Sequence, residues 1–235
     1  ELEGAVEAAW ENLLETVAET DDELLMEYLD SLELSDEQVR EGFRAALMRG
    51  AILPVLYVAG PANVGLHALC DLLVWATPNP LERAPLAALQ ADGELAELQP
   101  SAQGPFYAQI IRTFMDEFSG KVSIFRVIGG VMPEDGQVTN TSTGEHERIG
   151  TTYALRGNHR DVAEPVAGDI VSVAKLKTAR TNHTLSAGGD LVVDPEHYPA
   201  PMMEYTLAVT SKGAEDRLKV ALDRLIEEDP TLVTG

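Results

Sequence analysis

The fold is decided by a stretch that reads Ser119-Gly-Lys-Val-Ser-Ile-Phe-Arg-Val-Ile-Gly-Gly-Val-Met-Pro-Glu-Asp-Gly136. Its apolar residues occupy both phases of a period-two pattern, with one face formed by Val122, Ile124 and Ile128 and the other by Phe125 and Val127. A strand that is apolar on both faces is covered on both sides, as in the wall of a barrel or sandwich. The stretch therefore predicts a strand inside a closed or two-layered β structure.

Short strand patterns follow this strand at regular spacing. Met132-Pro-Glu-Asp-Gly136 predicts a turn, because proline fixes φ and glycine supplies a positive φ. Further strands are predicted over Gln137–Asn140, Glu147–Leu155, Arg160–Pro165 and Asp169–Leu176, with turns at Gly157-Asn158 and Ala167-Gly168. This rhythm predicts a small all-β antiparallel barrel over residues 105–192.

Composition limits the classes of function. The chain has 235 residues with 17 basic and 39 acidic side chains, which give a net charge of −22. That charge excludes a global attraction to nucleic acid, although a local basic patch remains possible. Cys70 is the only cysteine, which excludes a disulfide framework and fits a reducing cytoplasm. No apolar run approaches the ~20 residues of a membrane span. The start at Glu1 suggests a piece of a longer chain.

Residues 1–80 are predicted to be the end of an α/β domain. A helical pattern is interrupted at Asp21-Asp22, and Ser35-Asp-Glu-Gln38 forms a capping box that opens another helix. The run Ile52–Val58 is typical of a strand buried on both faces. After the loop Ala59–Gly65, a further helix is predicted with Leu66, Leu69, Cys70 and Leu73 facing inward. A buried, inert thiol is therefore expected at Cys70.

The remaining segments predict a linker and the start of another domain. Residues 81–104 are rich in alanine, leucine, acids and nearby prolines, which indicates an interdomain linker. Residues 193–235 contain a proline-rich connector, an alternating strand pattern over Met203–Val209 and a helix with Leu218, Ala221, Leu222 and Leu225 inward. The predicted class is multidomain α+β.

Six motifs then point to a known family. In chain order they are Asp21-Asp-Glu-Leu-Leu-Met-Glu-Tyr-Leu29, Gly120-Lys-Val-Ser-Ile-Phe-Arg-Val127, Glu147-Arg-Ile-Gly150, Ala167-Gly-Asp-Ile170, Lys175-Leu-Lys177 and Ala221-Leu-Asp-Arg-Leu-Ile-Glu-Glu-Asp-Pro-Thr231. The chain resembles elongation factor G and its paralogues among the translational GTPases, from about Val6 to Val233. The resemblance implies the tail of a GTPase domain over 1–80, domain II in the barrel, and the start of a ferredoxin-like domain III over 193–235.

The same resemblance implies a function for the parent protein. The family is cytoplasmic, binds GTP with Mg²⁺, and drives translocation or ribosome recycling on the ribosome. The expected partners are therefore ribosomal RNA and ribosomal proteins, with no membrane and no DNA. This chain should carry no cofactor, no metal and no catalytic residue, and should not hydrolyse GTP by itself.

Departures from the family indicate a divergent paralogue. The phosphate-wrapping motif Gly-x-x-x-x-Gly-Lys-[Ser/Thr] and the guanine reader Asn-Lys-x-Asp do not occur in this sequence. The guanine-side loop, where the family has Ser-Ala, reads Ala59-Gly60, although Asn63 and Gly65 agree. Near the end of the barrel, Thr181-Asn-His-Thr-Leu185 replaces the usual Thr-Gly-Asp-Thr-Leu.

Two candidate sites and one weak motif follow. Ala59, Gly60 and Asn63 are candidate nucleotide contacts, or else an ordinary strand-to-helix turn. The candidate RNA contacts are Arg148, Arg156, Arg160, Lys175, Lys177 and Arg180, whose alternative is solvated charge on strand faces. Glu145-His-Glu147 has the residue types of a metal site, but a solvated loop is the favoured interpretation. Alternative functions are a standalone β-barrel binding module and a ribosomal-protection or recycling paralogue.

Overall fold

The structure is a computed structural model that describes residues 2–156, 159–162, 164–209 and 213–234. The chain divides into two units, residues 1–78 and 79–235. The turn predicted at Gly157-Asn158 lies outside the described residues. Within the described ranges, no helix combines the length and the apolarity that a membrane crossing requires.

Among its described residues, the first unit contains four α-helices. They are α1 (Leu2–Ala18), α2 (Asp22–Ser31), α3 (Asp36–Arg49) and α4 (Leu66–Ala76). The predicted break falls at Asp21, whose carboxylate accepts hydrogen bonds from the first-turn amides of α2. The capping box is confirmed, since the Ser35 hydroxyl accepts from Gln38 N and the Gln38 amide oxygen accepts from Ser35 N. Leu14, Ala18 and Tyr28 form the centre of a small core.

The buried strand predicted over Ile52–Val58 is wrong. The segment is extended but pairs with no strand in the described part of the first unit, where the only β contact is the isolated bridge from Ala59 to Val64. Its exposure alternates, and Leu53, Val55 and Tyr57 are 75–94% exposed. The sequence run has the composition of a central strand, but a sheet requires neighbouring strands to satisfy its backbone groups.

The predicted inward face of α4 is also wrong in part. Cys70 is exposed, and Leu73 is 52% exposed. Trp75 instead contributes to the packed side, where its ring lies 5.5 Å from that of Phe43 and 5.1 Å from the Arg40 guanidinium carbon. Because α4 is apolar around most of its circumference, its sequence alone leaves the orientation of the helix undetermined.

The second unit contains eleven strands and one helix among its described residues. The strands are β1 (Leu86–Leu89), β2 (Leu95–Leu98), β3 (Phe106–Asp116), β4 (Gly120–Gly129), β5 (Gln137–Asn140), β6 (Glu145–Arg148), β7 (Thr152–Arg156), β8 (His159–Val162), β9 (Ile170–Ala174), β10 (Thr184–Ala187) and β11 (Val192–Val193), and the helix is α5 (Glu215–Glu228). Eight strands form one antiparallel sheet in the order β6-β5-β10-β3-β4-β9-β7-β8. The segment predicted as one strand over Glu147–Leu155 is divided between β6 and β7 by Ile149-Gly150-Thr151.

This sheet curls around a single apolar core, so the predicted barrel is confirmed. Phe106, Ile110, Phe125, Val127 and Leu185 from three different strands are at most 1% exposed and belong to one cluster. The strand β4 has the predicted two apolar faces. Phe125 and Val127 lie inside the barrel, whereas Ile128 packs on the outside in a second cluster with Tyr107.

The linker predicted over residues 81–104 is wrong, because this segment supplies the outer layer. The strands β1 and β2 form an antiparallel hairpin closed by a turn in which Gln90 N donates to Glu94 O, and β1 also pairs with β11. Ala88 and Leu98 cover Tyr107 and Ile128 on the outer face of the barrel. The sequence did contain a hairpin signal, Asp92-Gly93, in which Gly93 has φ +85°. The flanking alanines and leucines have low strand propensity and obscured it.

The last part of the chain agrees with the prediction only for its helix. No strand forms over Met203–Val209, whose apolar side chains are exposed and have no strand beside them in the described residues. The helix α5 is present and packs against β3. Its partly buried face carries Leu218, Leu222 and Ile226, whereas Ala221 and Leu225 are exposed. The predicted face was therefore correct for only half of its residues.

Candidate functional site

The loop Ala59–Gly65 is a compact, exposed turn between an extended segment and α4. Residues Gly60–Ala62 form a single 3-10 turn, and Ala59 N donates to Val64 O at 3.0 Å. Gly65 has φ +75°, and a Cβ there would lie 2.6 Å from Tyr57 O, so this position requires glycine. Ala59, Gly60 and Asn63 are all exposed, and Asn63 is the only one with a hydrogen-bonding side chain. A nucleotide contact at this loop stays a prediction.

The six candidate RNA contacts lie at different places on the barrel. Arg148 is on β6, where its Nε donates to Asp135 O at 3.2 Å. Lys175 has φ +67° just after β9, and its amide donates to Lys121 O. Lys177 and Arg180 are exposed in the loop between β9 and β10. The side chains of Arg156 and Arg160 lie outside the described residues, so their predicted role is not tested.

Two of these six residues are brought together in one cleft. Lys177 and Arg180 line a cleft of about 460 Å³ together with His183. The other lining residues are Thr143, Glu145, Thr178 and Glu227. Neither Arg148 nor Lys175 is among them. The structure therefore divides the predicted basic cluster and places two of its members in one concavity at the β9–β10 loop, which we call the basic cleft.

Glu147 lies under the basic cleft, where its side chain is 3% exposed and accepts hydrogen bonds from the β9–β10 loop. One carboxylate oxygen accepts from the amide and hydroxyl of Thr178 and from Ala179 N, and the other accepts from Lys177 N at 3.1 Å. Burial by itself opposes ionisation, but these four hydrogen bonds outweigh it and hold the pKa of Glu147 below its ordinary value. The solvated loop predicted for Glu145-His-Glu147 is wrong at Glu147.

No metal site accompanies this carboxylate. In the described ranges, no group of three or more histidine, cysteine, aspartate and glutamate side chains is arranged to hold a metal ion. Glu147 is instead an anion enclosed by amide donors, which is a structural use of charge. Its four bonds fix the backbone that presents Lys177 and, one residue beyond Ala179, Arg180.

His183 forms the half-buried wall of the basic cleft. Its Nδ1 lies 3.0 Å from Asn140 Nδ2, and Asn140 Oδ1 accepts from Ser142 N. That second bond fixes the amide orientation, so Asn140 donates to Nδ1 and the histidine proton resides on Nε2. Burial, and then the positive charges of Arg180 and Lys121, lower the pKa of His183. The ring is therefore neutral at pH 7.

We expect His183 to make the barrel less stable as the pH falls through about 6.5. The unfolded chain takes up a proton there, whereas the folded chain, with its lowered pKa, does not. The stability contributed by the neutral ring is present above this range and is lost below it. Urea unfolding at pH 8, 7, 6 and 5.5 measures the effect. His183→Gln should flatten the profile, and the exposed His146→Gln serves as the control. Equal profiles for wild type and His183→Gln would contradict this assignment.

The helix α5 reaches the same cleft through its last turn. Glu227 pairs with Lys121 of β4, and both side chains are mostly buried, with 19% and 14% exposure. Glu228 accepts a hydrogen bond from Met115 N at 2.7 Å, and Asp229 accepts from Thr231 N and its hydroxyl. These contacts explain the acidic run at the C-terminal end of α5, where the helix dipole by itself disfavours negative charge.

Sequence reasoning missed Lys121, His183 and Glu227 as members of the site. For His183, the replacement of the family's acidic residue in Thr181-Asn-His-Thr-Leu185 was a usable signal. Lys121 and Glu227 are 106 positions apart, and no local pattern connects them. Only the packing of α5 on the barrel brings these two charges together.

The comparison with protein families bears directly on the barrel. The family model for Elongation factor G domain 2 matches residues 105–188, a range that contains all eight strands of the curled sheet. The barrel is similar to Elongation factor G domain 2 over its whole eight-stranded sheet. Lys177, Arg180 and His183 lie within this domain 2 barrel, whereas Glu227 and the outer hairpin β1–β2 lie outside the matched range.

A solved structure extends the likeness to most of the chain. The crystal structure of a protein from Thermus thermophilus matches with a TM-score of 0.74 and 27% identity. The match covers 94% of this chain and 31% of that protein, so the chain spans about a third of the solved relative. Together the two comparisons confirm the resemblance to elongation factor G-like translational GTPases. The chain is translation-factor-like.

Proposed function

We propose that this chain is the part of a ribosome-associated translational GTPase that contacts ribosomal RNA through its domain 2 barrel. The observation that carries the proposal is the match of the complete barrel to Elongation factor G domain 2. The basic cleft supports it, because Lys177 and Arg180 converge there in a protein whose net charge of −22 otherwise repels RNA. Cytoplasmic location and a role in translocation belong to the same proposal.

GTP and Mg²⁺ belong to the parent protein in this proposal. The sequence contains no phosphate-wrapping loop. It therefore also lacks the serine or threonine hydroxyl by which such loops bind Mg²⁺. Ala59, Gly60 and Asn63 could at most contact the guanine side of the nucleotide. The residues present do not fit the phosphates or the metal, so we derive no hydrolytic step from this chain and expect it to release no phosphate from GTP.

Ribosome binding is the decisive measurement. The chain should cosediment with purified ribosomes, and Lys177→Gln/Arg180→Gln should weaken binding about tenfold and lower the slope of log affinity against log salt by about 2, one per lost phosphate contact. Arg217→Gln/Lys219→Gln removes the same charge from exposed positions on α5 and should leave binding unchanged. Equal binding by wild type and the cleft variant would exclude the basic cleft as the contact.

Two other functions remain as alternatives. A standalone binding module would lack a GTPase parent, so reading the coding sequence upstream of Glu1 for a phosphate-wrapping motif separates it from our proposal. A ribosomal-protection or recycling paralogue is favoured by the divergent residues Ala59-Gly60 and Asn182-His183. Translocation and recycling assays on the full parent protein distinguish these activities.

A further inference from the structure

Two side chains that line the basic cleft, Glu145 on β6 and Glu227 on α5, have the charge of the ligand rather than that of the site. Glu227 lines the cleft together with the cationic Lys177 and Arg180. It enters from α5, outside the eight-stranded barrel, and pairs with Lys121. A carboxylate and an RNA phosphate are both oxyanions that accept hydrogen bonds from lysine and arginine. The carboxylate of Glu227 therefore pairs with a cation beside the cleft, Lys121, that an RNA phosphate would otherwise contact.

The helix that carries Glu227 buries little of its surface against the barrel. No residue of α5 is fully buried, and the face toward β3 is formed by the partly buried Leu218, Leu222 and Ile226. The polar contacts between α5 and the barrel include the Lys121–Glu227 pair and the Met115 N–Glu228 hydrogen bond, both at the last turn. An element with little buried apolar surface belongs to the least stable part of a fold and opens locally at low cost.

We propose that Glu227 is an intramolecular competitor for RNA, so that α5 closes a phosphate site formed by Lys121, Lys177 and Arg180 until its last turn leaves the barrel. This inference rests on the proposed RNA contact of the basic cleft and adds its regulation. Any interaction that draws α5 away from β3 then increases RNA affinity, because only the open fraction of molecules binds.

RNA phosphate is the occupant that the charges favour. Arg180 lines the cleft beside His183, and the positive charges of Arg180 and Lys121 both lower the pKa of His183. No apolar side chain is among the residues that line the cleft. A lining of charged and polar side chains suits a charged backbone rather than the hydrophobic anchors of a protein partner.

The test uses the 235-residue chain and a fluorescein-labelled RNA hairpin of about 20 nucleotides, with affinity measured by anisotropy at about 50 and 200 mM KCl. Glu227→Gln should bind about three- to tenfold more tightly than wild type, as expected when a mostly closed site is opened. Adding Lys177→Gln/Arg180→Gln to that variant should abolish the gain. Glu215→Gln removes the same charge about 18 Å away along α5 and should change nothing.

A charge exchange and a structural readout separate competition from simple helix attachment. Lys121→Glu/Glu227→Lys retains the ion pair and the net charge, and should return the affinity toward wild type. Hydrogen exchange over residues 215–228 should accelerate in Glu227→Gln and slow again in the exchanged pair. Faster exchange without tighter RNA binding would show that Glu227 only attaches the helix, and would overturn the proposal.

The remaining outcomes distinguish this proposal from the proposed function. One outcome is that ribosome binding depends on Lys177 and Arg180 while Glu227→Gln leaves the RNA affinity unchanged. That result would contradict competition by Glu227 but support the proposed function. Absence of RNA and ribosome binding in every variant would remove both. Displacement of the hairpin by an octaglutamate peptide at equal concentration would overturn the assignment to RNA, because a phosphodiester-specific site prefers the polyanion of the larger charge density.

Discussion

Replacing Gly136 by alanine should destabilise the barrel by about 3–4 kcal/mol, since two costs add at this position. Gly136 ends the predicted turn with φ +67°, a conformation that alanine adopts with strain. In addition, a Cβ there would lie 2.1 Å from Ile149 O. The same pair of residues is joined by the hydrogen bond from Ile149 N to Gly136 O, so the backbone cannot separate without losing it. Urea unfolding of the 235-residue chain measures the loss.

Gly144 provides the matched control for this prediction. It has φ +78° in the turn between β5 and β6, but nothing lies within 4 Å of a Cβ built there. Gly144→Ala should therefore cost only the backbone term, about 1–2 kcal/mol. If both alanine variants lose the same stability, the close approach of Ile149 contributes nothing and the argument from contact is wrong.

Replacing Glu147 by alanine should cost about 3–5 kcal/mol, because three backbone amides and one hydroxyl lose their acceptor beneath the β9–β10 loop. Removing a buried partner costs more than the net value of the bonds, since the donors that remain are desolvated and unpaired. Glu147→Gln should reduce the free energy of unfolding by only about 1–2 kcal/mol. The remaining side-chain oxygen can still accept hydrogen bonds from the Thr178 and Ala179 amides, whereas the new NH₂ group cannot accept one from Lys177 N. The exposed Glu145→Ala is the control.

The acid limb of the unfolding profile tests the same carboxylate independently. Because the folded pKa of Glu147 is lowered, its contribution is fully present above the ordinary value of about 4.3 and disappears as the pH falls through the folded pKa. Wild type should lose stability more steeply below about pH 4.3 than Glu147→Gln does. If wild type and Glu147→Gln lose stability equally steeply in acid, the folded state does not stabilise the ionised form of Glu147.

The sequence predicted most reliably what is decided by neighbours along the chain. The capping box at Ser35 and Gln38 involves residues three positions apart, and the turn at Gly136 needs only a proline and a glycine. The prediction that β4 is apolar on both faces was also confirmed, because the residue types of each face can be read without knowing which element covers it. The outer cover itself was not identified, since Leu86–Leu98 does not have the composition typical of strands.

The failures have a common physical origin in missing or unrecognised neighbours. Ile52–Val58 and Met203–Val209 have strand patterns, but a strand exists only where another strand accepts its hydrogen bonds. Cys70 was placed inward by helical periodicity, which identifies a face but cannot orient a helix that is apolar on several sides. Propensity therefore indicated possible elements, and tertiary contacts selected among them.

The sequence by itself determined the barrel, its family resemblance and the presence of basic side chains near its end, because these depend on local pattern and residue type. Only the tertiary structure decided that Lys177 and Arg180 share a cleft while Arg148 and Lys175 lie elsewhere. It also decided that Glu147 is a buried acceptor and that Glu227 meets Lys121 across 106 positions. Charge acts through space, and its partners are set by how strands and helices pack rather than by their order in the chain.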